Sequence, residues 1–194
     1  MAKIIAFTNL TLDGVMQAPG RADEDTRGGF AHGGWGAPYA AMSEVGDALG
    51  DIGSVLFGRI TYENFFDYWP KQIGNPFADY FNSIQKYVAS TTLREPLVWE
   101  KSTLLKGDLG AAITNLKKDQ AKNIIVFGSG NLIQSLMRYN LVDKYVLLIH
   151  PLILGSGRRL FPEAGINASL QLVTSKTTSN GVLIATYEPP LAAG

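Results

Sequence analysis

The stretch Asn123-Ile-Ile-Val-Phe-Gly-Ser-Gly-Asn-Leu-Ile-Gln-Ser-Leu136 sets the frame for the rest of the chain. Ile124 to Phe127 is a short unbroken apolar run, the pattern of a strand buried on both faces. Gly128-Ser129-Gly130 stops it at once. Asn131 is placed to cap a helix through Leu132, Ile133, Leu136 and Met137, whose spacing makes one apolar stripe. Strand, glycine turn and helix follow without slack. Such a turn aims backbone N–H groups and the positive end of the helix dipole at one point, and glycine lets a bulky anion approach the backbone. The turn reads either as a phosphate cradle or as a βα connection that needs glycine for its dihedral angles alone.

A second turn repeats the logic. Ser54-Val-Leu-Phe57 is another buried strand, ended by Gly58-Arg59, and Thr61-Tyr-Glu-Asn-Phe-Phe66 opens a helix. Arg59 beside a helix start suits a pyrophosphate through charge-assisted hydrogen bonds, and Thr61 adds a hydroxyl. The plainer reading is a solvated arginine and a threonine cap. Two such turns weigh more than one, because parallel α/β sheets gather ligands at the carboxyl ends of their strands.

The remaining segments fill in an α/β pattern. Ile4 to Thr11 reads as a strand closed by Leu12-Asp13-Gly14. Asp13 there is either an Asx turn or a carboxylate at a pocket mouth. Residues 19–38 form a long loop with a charged cluster, Arg21 to Arg27, and two large rings, Phe30 and Trp35. Loops this long are usually functional or disordered, and the rings argue for a flap that covers a ligand. Their alternative is packing on the domain itself or on a second subunit. Pro38 to Leu49 reads as a helix with Tyr39, Met42, Val45 and Leu49 on one face. Phe77 to Gln85 reads as a short helix, Lys86 to Thr91 as a strand, Leu97 to Trp99 as a short strand, and Leu109 to Lys118 as an amphipathic helix. Ser102 to Leu105 is ambiguous. Ser90 and Thr91, at a strand end, suit a ribose phosphate or a turn cap. Lys144 to His150 is the longest β-like run. His150 within it reads as a structural histidine, and Arg158-Arg159 as a surface pair or a second anion contact. Leu170–Lys176 and Gly181–Glu188 form a hairpin across Ser179-Asn180-Gly181.

Composition narrows the function. The 194 residues are 46% hydrophobic and 18% charged, with 17 acids balanced by 17 bases, so no net field draws the chain to nucleic acid or anionic membrane. The expectation is one domain over 1–194. There is no cysteine, which excludes disulfides and thiolate sites, and the two histidines, His32 and His150, make a histidine-rich metal site improbable. No apolar segment approaches the ~20 residues of a membrane span. A cytoplasmic protein without a metal is expected.

Taken together, the segments resemble the dihydrofolate reductase-like superfamily. The closer resemblance is to the reductase domain of bacterial riboflavin biosynthesis and its free-standing relatives. It is carried by Thr11-Leu-Asp-Gly14, Leu56-Phe-Gly-Arg-Ile-Thr-Tyr-Glu63, Val88-Ala-Ser-Thr-Thr92, Ile125-Val-Phe-Gly-Ser-Gly130, and Leu141-Val-Asp-Lys-Tyr-Val through His150-Pro-Leu-Ile-Leu-Gly to Leu160-Phe-Pro162, in the family's order over nearly the whole chain.

The resemblance implies an α/β, three-layer fold: a central mixed, mostly parallel β-sheet flanked by helices, with a C-terminal antiparallel hairpin. It implies NADPH across the strand ends. Gly58, Arg59 and Thr61 match the segment that meets the cofactor's phosphates, and Ser90 and Thr91 the segment near the adenosine ribose. Phe127, Gly128, Ser129, Gly130, Asn131 and Leu132 match the pyrophosphate turn and helix start. Asp13 and Gly14 match the turn beside nicotinamide and substrate. Asp13 is the expected polarising carboxylate, with Glu44 as alternative because the pterin-binding acid of true dihydrofolate reductases has no clear counterpart. Phe30, Trp35 and Tyr62 are expected to bound the substrate ring. The implied activity is reduction of a pyrimidine- or pterin-like heterocycle, as in the phosphoribosylaminouracil reductase. Dihydrofolate reduction, or a nucleotide-binding module without turnover, are the rivals. A homodimer is expected, with the Tyr145–Leu154 run as one candidate interface.

Overall fold

In the central strands, neighbouring residues part to opposite sides. Ile4, Ala6, Ile124, Val126, Tyr145 and Leu147 join one buried cluster, and Ile5, Phe7, Ile125, Phe127, Val146 and Leu148 join the other. That is why these runs are apolar at every position instead of alternating. The computed structural model describes residues 1–39, 44–161 and 166–190, without the side chain of Asp47.

Eight strands form one sheet: β1 (Ile4–Thr11), β2 (Ile52–Gly58), β3 (Gln85–Ala89), β4 (Ser102–Leu105), β5 (Asn123–Phe127), β6 (Lys144–His150), β7 (Gln171–Thr177) and β8 (Leu183–Glu188). Their order is β4-β3-β2-β5-β1-β6-β8-β7. The first six in that order run parallel, and β8 and β7 are antiparallel. Helices α4 (Leu109–Asp119) and α5 (Gly130–Arg138) cover one face through Ile113, Leu116, Ile133 and Leu136. Helices α2 (Arg59–Tyr68) and α3 (Pro76–Ser83) cover the other through Tyr62 and Phe81, beside Val45 and the short α1 (Gly46–Leu49). The expected three-layer, mostly parallel fold with a C-terminal hairpin is therefore the observed one.

Register aligns the carboxyl ends of the parallel strands. Ala89 is level with Gly58 and Leu105, and Phe127 with Phe7. The glycine turns after β2 and β5 thus emerge on the same edge of the sheet.

Several local expectations are corrected. Leu97–Trp99 is no strand, because the Trp99 backbone N–H is taken by the Tyr62 hydroxyl at 2.9 Å and its indole donates to Asn82 Oδ1. The ambiguous Ser102–Leu105 is the edge strand instead. Between 37 and 49 the described residues form a short 3-10 turn, Ala37–Tyr39, and α1; the expected Met42 lies outside the described residues, as does Pro162. β6 is an interior strand between β1 and β8, and Tyr145 to Leu148 are buried, so that part of the Tyr145–Leu154 run belongs to the core, while Ile153 beyond it is exposed. Every residue of β7, at the sheet edge, is exposed.

Candidate active site

The two glycine turns touch. Ser129 Oγ accepts a hydrogen bond from the Gly58 N–H at 3.0 Å, and a methyl group at Gly58 would sit 3.7 Å from Ser129 and Leu132. Ser129 itself has left-handed dihedrals, φ 52 and ψ 47, and precedes Gly130, the first residue of α5. The expected Asn131 cap is therefore corrected: Asn131 lies inside the helix, and the Ser129 carbonyl takes the N–H groups of Leu132 and Ile133. No described residue accepts from the backbone N–H of Ser129, Gly130 or Asn131. Three orphan donors at a helix start are an anion site in waiting.

A cleft of about 870 Å³ opens on these donors. Gly58, Arg59, Thr61, Ser90, Thr91, Phe127, Gly128, Ser129, Gly130, Asn131 and Leu132 all line it. Gly128 turns at φ 52, with the Thr61 methyl 3.8 Å from where a side chain would begin. Arg59 is the first residue of α2, half exposed, with Glu63 at 3.5 Å, too long and too solvated a pair to immobilise it. Ser90 also caps its own turn, accepting from the N–H groups of Thr92 and Leu93 at 3.1 Å.

The charges of the lining are mostly paired. Arg21, Arg27, Arg59, Lys106, Arg158 and Arg159 line the cleft with Glu24 and Asp25, but Asp23, Glu63, Glu95 and Asp13 pair with Arg21, Arg59, Lys106 and Arg159 from just outside the wall. Arg158, with no acid partner among the described residues, and Arg59, only loosely paired, are the cations open to an anionic ligand. Burial pushes the Glu24 carboxyl up, although it accepts from the Gly20 and Arg21 N–H groups at 2.7 and 3.2 Å. Burial also opposes ionisation of Asp25, but the Arg27 guanidinium outweighs it and holds that carboxyl low.

One end of the cleft is aromatic. Phe7 and Phe127 from the strands, Phe65, Tyr68 and Trp69 at the end of α2, and Phe77 and Phe81 from α3 line it. Their rings meet edge to face, as between Phe7 and Phe127 at 5.1 Å and Phe81 and Phe127 at 5.2 Å. The loop opposite is fastened to α2. Asn64 Nδ2 donates to the Glu24 carbonyl at 2.7 Å, and the Arg21 guanidinium lies 4.7 Å over the Tyr68 ring.

The substrate-side expectations fare differently. None of Asp13, Gly14, Phe30, Trp35, Glu44 or Tyr62 is on the cleft wall. The Asp13 carboxylate accepts from Thr11 Oγ1 at 2.6 Å and from the backbone N–H groups of Leu154 and Gly155, with Arg159 at 3.7 Å. The Thr11 hydroxyl, more than the backbone donors, lowers its pKa to about 2 against the opposing effect of burial. Asp13 is thus a clamp between two loops, ionised at neutral pH, with its acceptor sites filled. Gly14, at φ 80, serves the same turn. Glu44 is exposed. Tyr62 is 1% exposed, with its hydroxyl spent on Trp99.

Phe30 and Trp35 do not form an aromatic cover. They turn inward and pack with Val15, Ala18, Leu152 and Leu154, and the Trp35 indole donates to the Gln17 carbonyl at 2.7 Å. Gln17, buried, donates to the carbonyls of Asp25 and Arg27 and accepts from the Arg158 N–H. The rings therefore anchor the loop, and Pro19, Gly20, Arg21, Glu24, Asp25, Arg27, Gly36 and Ala37 provide the cleft wall.

This geometry defines an α/β protein with a deep cleft along the carboxyl edge of its parallel strands. A sequence model of the RibD C-terminal domain matches residues 2–184. The chain belongs to that family. It is 30% identical to the uncharacterized protein YyaP of Bacillus subtilis strain 168, over 73% of this chain and 76% of that one. It is 25% identical to YwjB of the same organism over 68% and 71%. In structure it resembles a putative riboflavin biosynthesis protein from Shewanella sp. PV-4, with TM-score 0.69, 23% identity and coverage of 97% and 99%. It also resembles a pyrimidine reductase-like protein from Corynebacterium diphtheriae, with TM-score 0.66, 12% identity and coverage of 97% and 92%.

Proposed function

We propose that the protein is a reductase that uses NADPH to reduce a flat pyrimidine- or pterin-like heterocycle. One observation carries the reading: two glycine turns, tied by the Gly58–Ser129 hydrogen bond, present unpaired backbone donors beside Arg59 to a cleft whose other end is aromatic. The residues fit a dinucleotide. Ser129, Gly130 and Asn131 would hold the pyrophosphate with their N–H groups, Arg59 and Thr61 would flank it, and Ser90 and Thr91 would meet the adenosine ribose. When bound, the cofactor supplies the hydride.

The chain's own contribution is placement and exclusion of water. The rings of α2, α3 and β5 bound a slot suited to a planar ring, and their apolar surface keeps water from the reacting atoms. Glu24, whose burial favours the protonated form, keeps a proton at the cleft to a higher pH than an exposed glutamate does. Membership of the RibD C-terminal family supports a pyrimidine of the riboflavin pathway over dihydrofolate.

The test is nicotinamide absorbance with NADPH and either the phosphoribosylaminouracil or dihydrofolate. Oxidation with the uracil compound supports the reading, and faster turnover of dihydrofolate replaces its substrate. Cofactor binding with no turnover on either ring favours a binding module, a reading that the absence of Asp13 and Glu44 from the cleft keeps open. A homodimer belongs to the same proposal, with Leu172 and Val173 on the exposed β7 edge as its apolar contact. Sedimentation equilibrium checks it, and a monomer at all concentrations rejects it.

A further inference from the structure

Asn9 and His150 form a polar pair at the aromatic end of the cleft, and both line it. Asn9 Oδ1 lies 2.9 Å from His150 Nε2. A buried N–H left without a partner is rarer and costlier than a lone pair, so the unpartnered Nδ1 is assigned the lone pair and Nε2 the proton, which it donates to the amide oxygen. Nδ1 is buried and has no partner among the described residues. The imidazole is 2% exposed, and Trp35 and Tyr39 meet it edge-on with centroids 5.1 Å away. Burial lowers its pKa to about 4, so the ring is neutral under ordinary conditions.

The pair does not hold the strands together. β1 and β6 are already in continuous parallel register from Ile5 to Thr11, and an apolar side chain at either position would preserve that pairing. An unpartnered buried nitrogen also costs free energy that an apolar replacement would not. What the pair does is orient an amide. With Oδ1 held by the imidazole N–H, rotation of the Asn9 amide would set N–H against N–H. Nδ2 is therefore the free end, no described residue accepts from it, and Asn9 is only half buried. Phe7, two residues earlier on the same strand face, and Leu148, level with Asn9 on β6, place apolar side chains beside Asn9 on the sheet.

We propose that the Asn9 amide is the specificity determinant of the cleft. It donates to a ring carbonyl of a flat lactam heterocycle, a pyrimidinedione or pteridinone, and His150 is the positioning residue that fixes which end of the amide faces the ligand. The inference rests on the reductase reading of the cleft and names the side chain that would tell a ring carbonyl from a ring amine.

The test is a pair of fluorescence titrations, with lumazine, a pteridinedione, and with the diaminopteridine that has amines in place of both carbonyls. NADPH is titrated separately in each protein. Wild-type protein is expected to bind lumazine about tenfold more tightly, the worth of one satisfied buried hydrogen bond. Asn9→Asp, an acceptor, inverts the preference, and Asn9→Ser removes it if the aspartate fails to fold. His150→Phe frees the amide to rotate and removes the preference, while His150→Gln, which keeps an N–H donor, restores part of it. A merely structural His150 would weaken both rings alike and leave their ratio unchanged.

Equal affinities in the wild type, an unchanged ratio in both Asn9 variants, or binding of neither ring overturns the inference. So does a loss of NADPH affinity in Asn9→Ser larger than the change in ring ratio, which assigns the donor to the nicotinamide carboxamide. Failure of NADPH binding with the ring ratio intact sinks the reductase reading alone.

Discussion

At the residue scale, two side chains exchange the roles their sequence context suggests. Asp13 sits in the strand-end turn where a working carboxylate is expected, and the fold spends it on Thr11, Leu154 and Gly155. Its folded pKa of about 2 lies below the ordinary 3.8. Its stabilisation is therefore present above pH ~4 and is lost as pH falls toward ~2. Asp13→Asn should lower the melting temperature at neutral pH, by about 1–2 kcal/mol of stability, and should flatten the acid limb of the melting curve below pH ~4. An unchanged acid limb would contradict the clamp. His150 has the opposite history: read as a structural histidine, it lines the cleft. Its folded pKa of about 4 lies below the ordinary 6.5, so the unfolded chain takes up the proton first. Stability should decline as pH drops from ~6.5 to ~4 and level off below. The matching slope should be missing from thermal melts of His150→Gln, and a slope kept in that variant would assign it to another group. Neither outcome was legible locally, because a carboxylate at a turn and an imidazole in a strand look alike whether they face a loop or a cavity. Glu24 was hidden in the same way within the Arg21–Arg27 cluster, since desolvation is a property of the folded neighbourhood.

At the element scale, the sequence spoke most clearly where two periodicities meet. An apolar run that stops at glycine and restarts with helical spacing can be little other than a βα unit, so β2–α2 and β5–α5 were readable, and with them the phosphate-type turns. The link between them was not. Which strands are neighbours is decided by topology, and only the placement of β2 beside β5 lets Ser129 Oγ reach the Gly58 N–H. Ser129→Ala should cost about 1 kcal/mol by leaving that N–H unpaired. It should also weaken NADPH binding by loosening both turns. Gly128→Val demands a β-branched residue at φ 52, a strain of about 1–2 kcal/mol, and should weaken binding further. Isothermal titration checks both, and wild-type affinity in both variants would sever the turns from the ligand site. The aromatic end escaped the sequence for a related reason. Phe65, Tyr68 and Trp69 on α2 look like any core stripe, while Phe30 and Trp35, conspicuous in a glycine-rich loop, look like a cover. Burial reverses the two: the loop rings anchor, and the helix rings line the cavity.

At the scale of the whole molecule, the parallel half of the sheet gathers six strand ends, and the helices that follow β2 and β5 start on the same edge. Most lining cations are paired with nearby carboxylates, so the attraction for an anion comes from Arg59, Arg158 and the helix-start N–H groups and should be sensitive to salt. The account stands on a dinucleotide lying along this edge. The most direct measurement is amide hydrogen exchange with and without NADPH, on wild type and on Arg59→Ala. NADPH is expected to slow exchange in 58–61, 89–92 and 128–132, and Arg59→Ala to require at least about tenfold more cofactor for the same protection. Saturating NADPH that leaves those three segments unprotected, or protects only residues away from the carboxyl edge of the sheet, would contradict it.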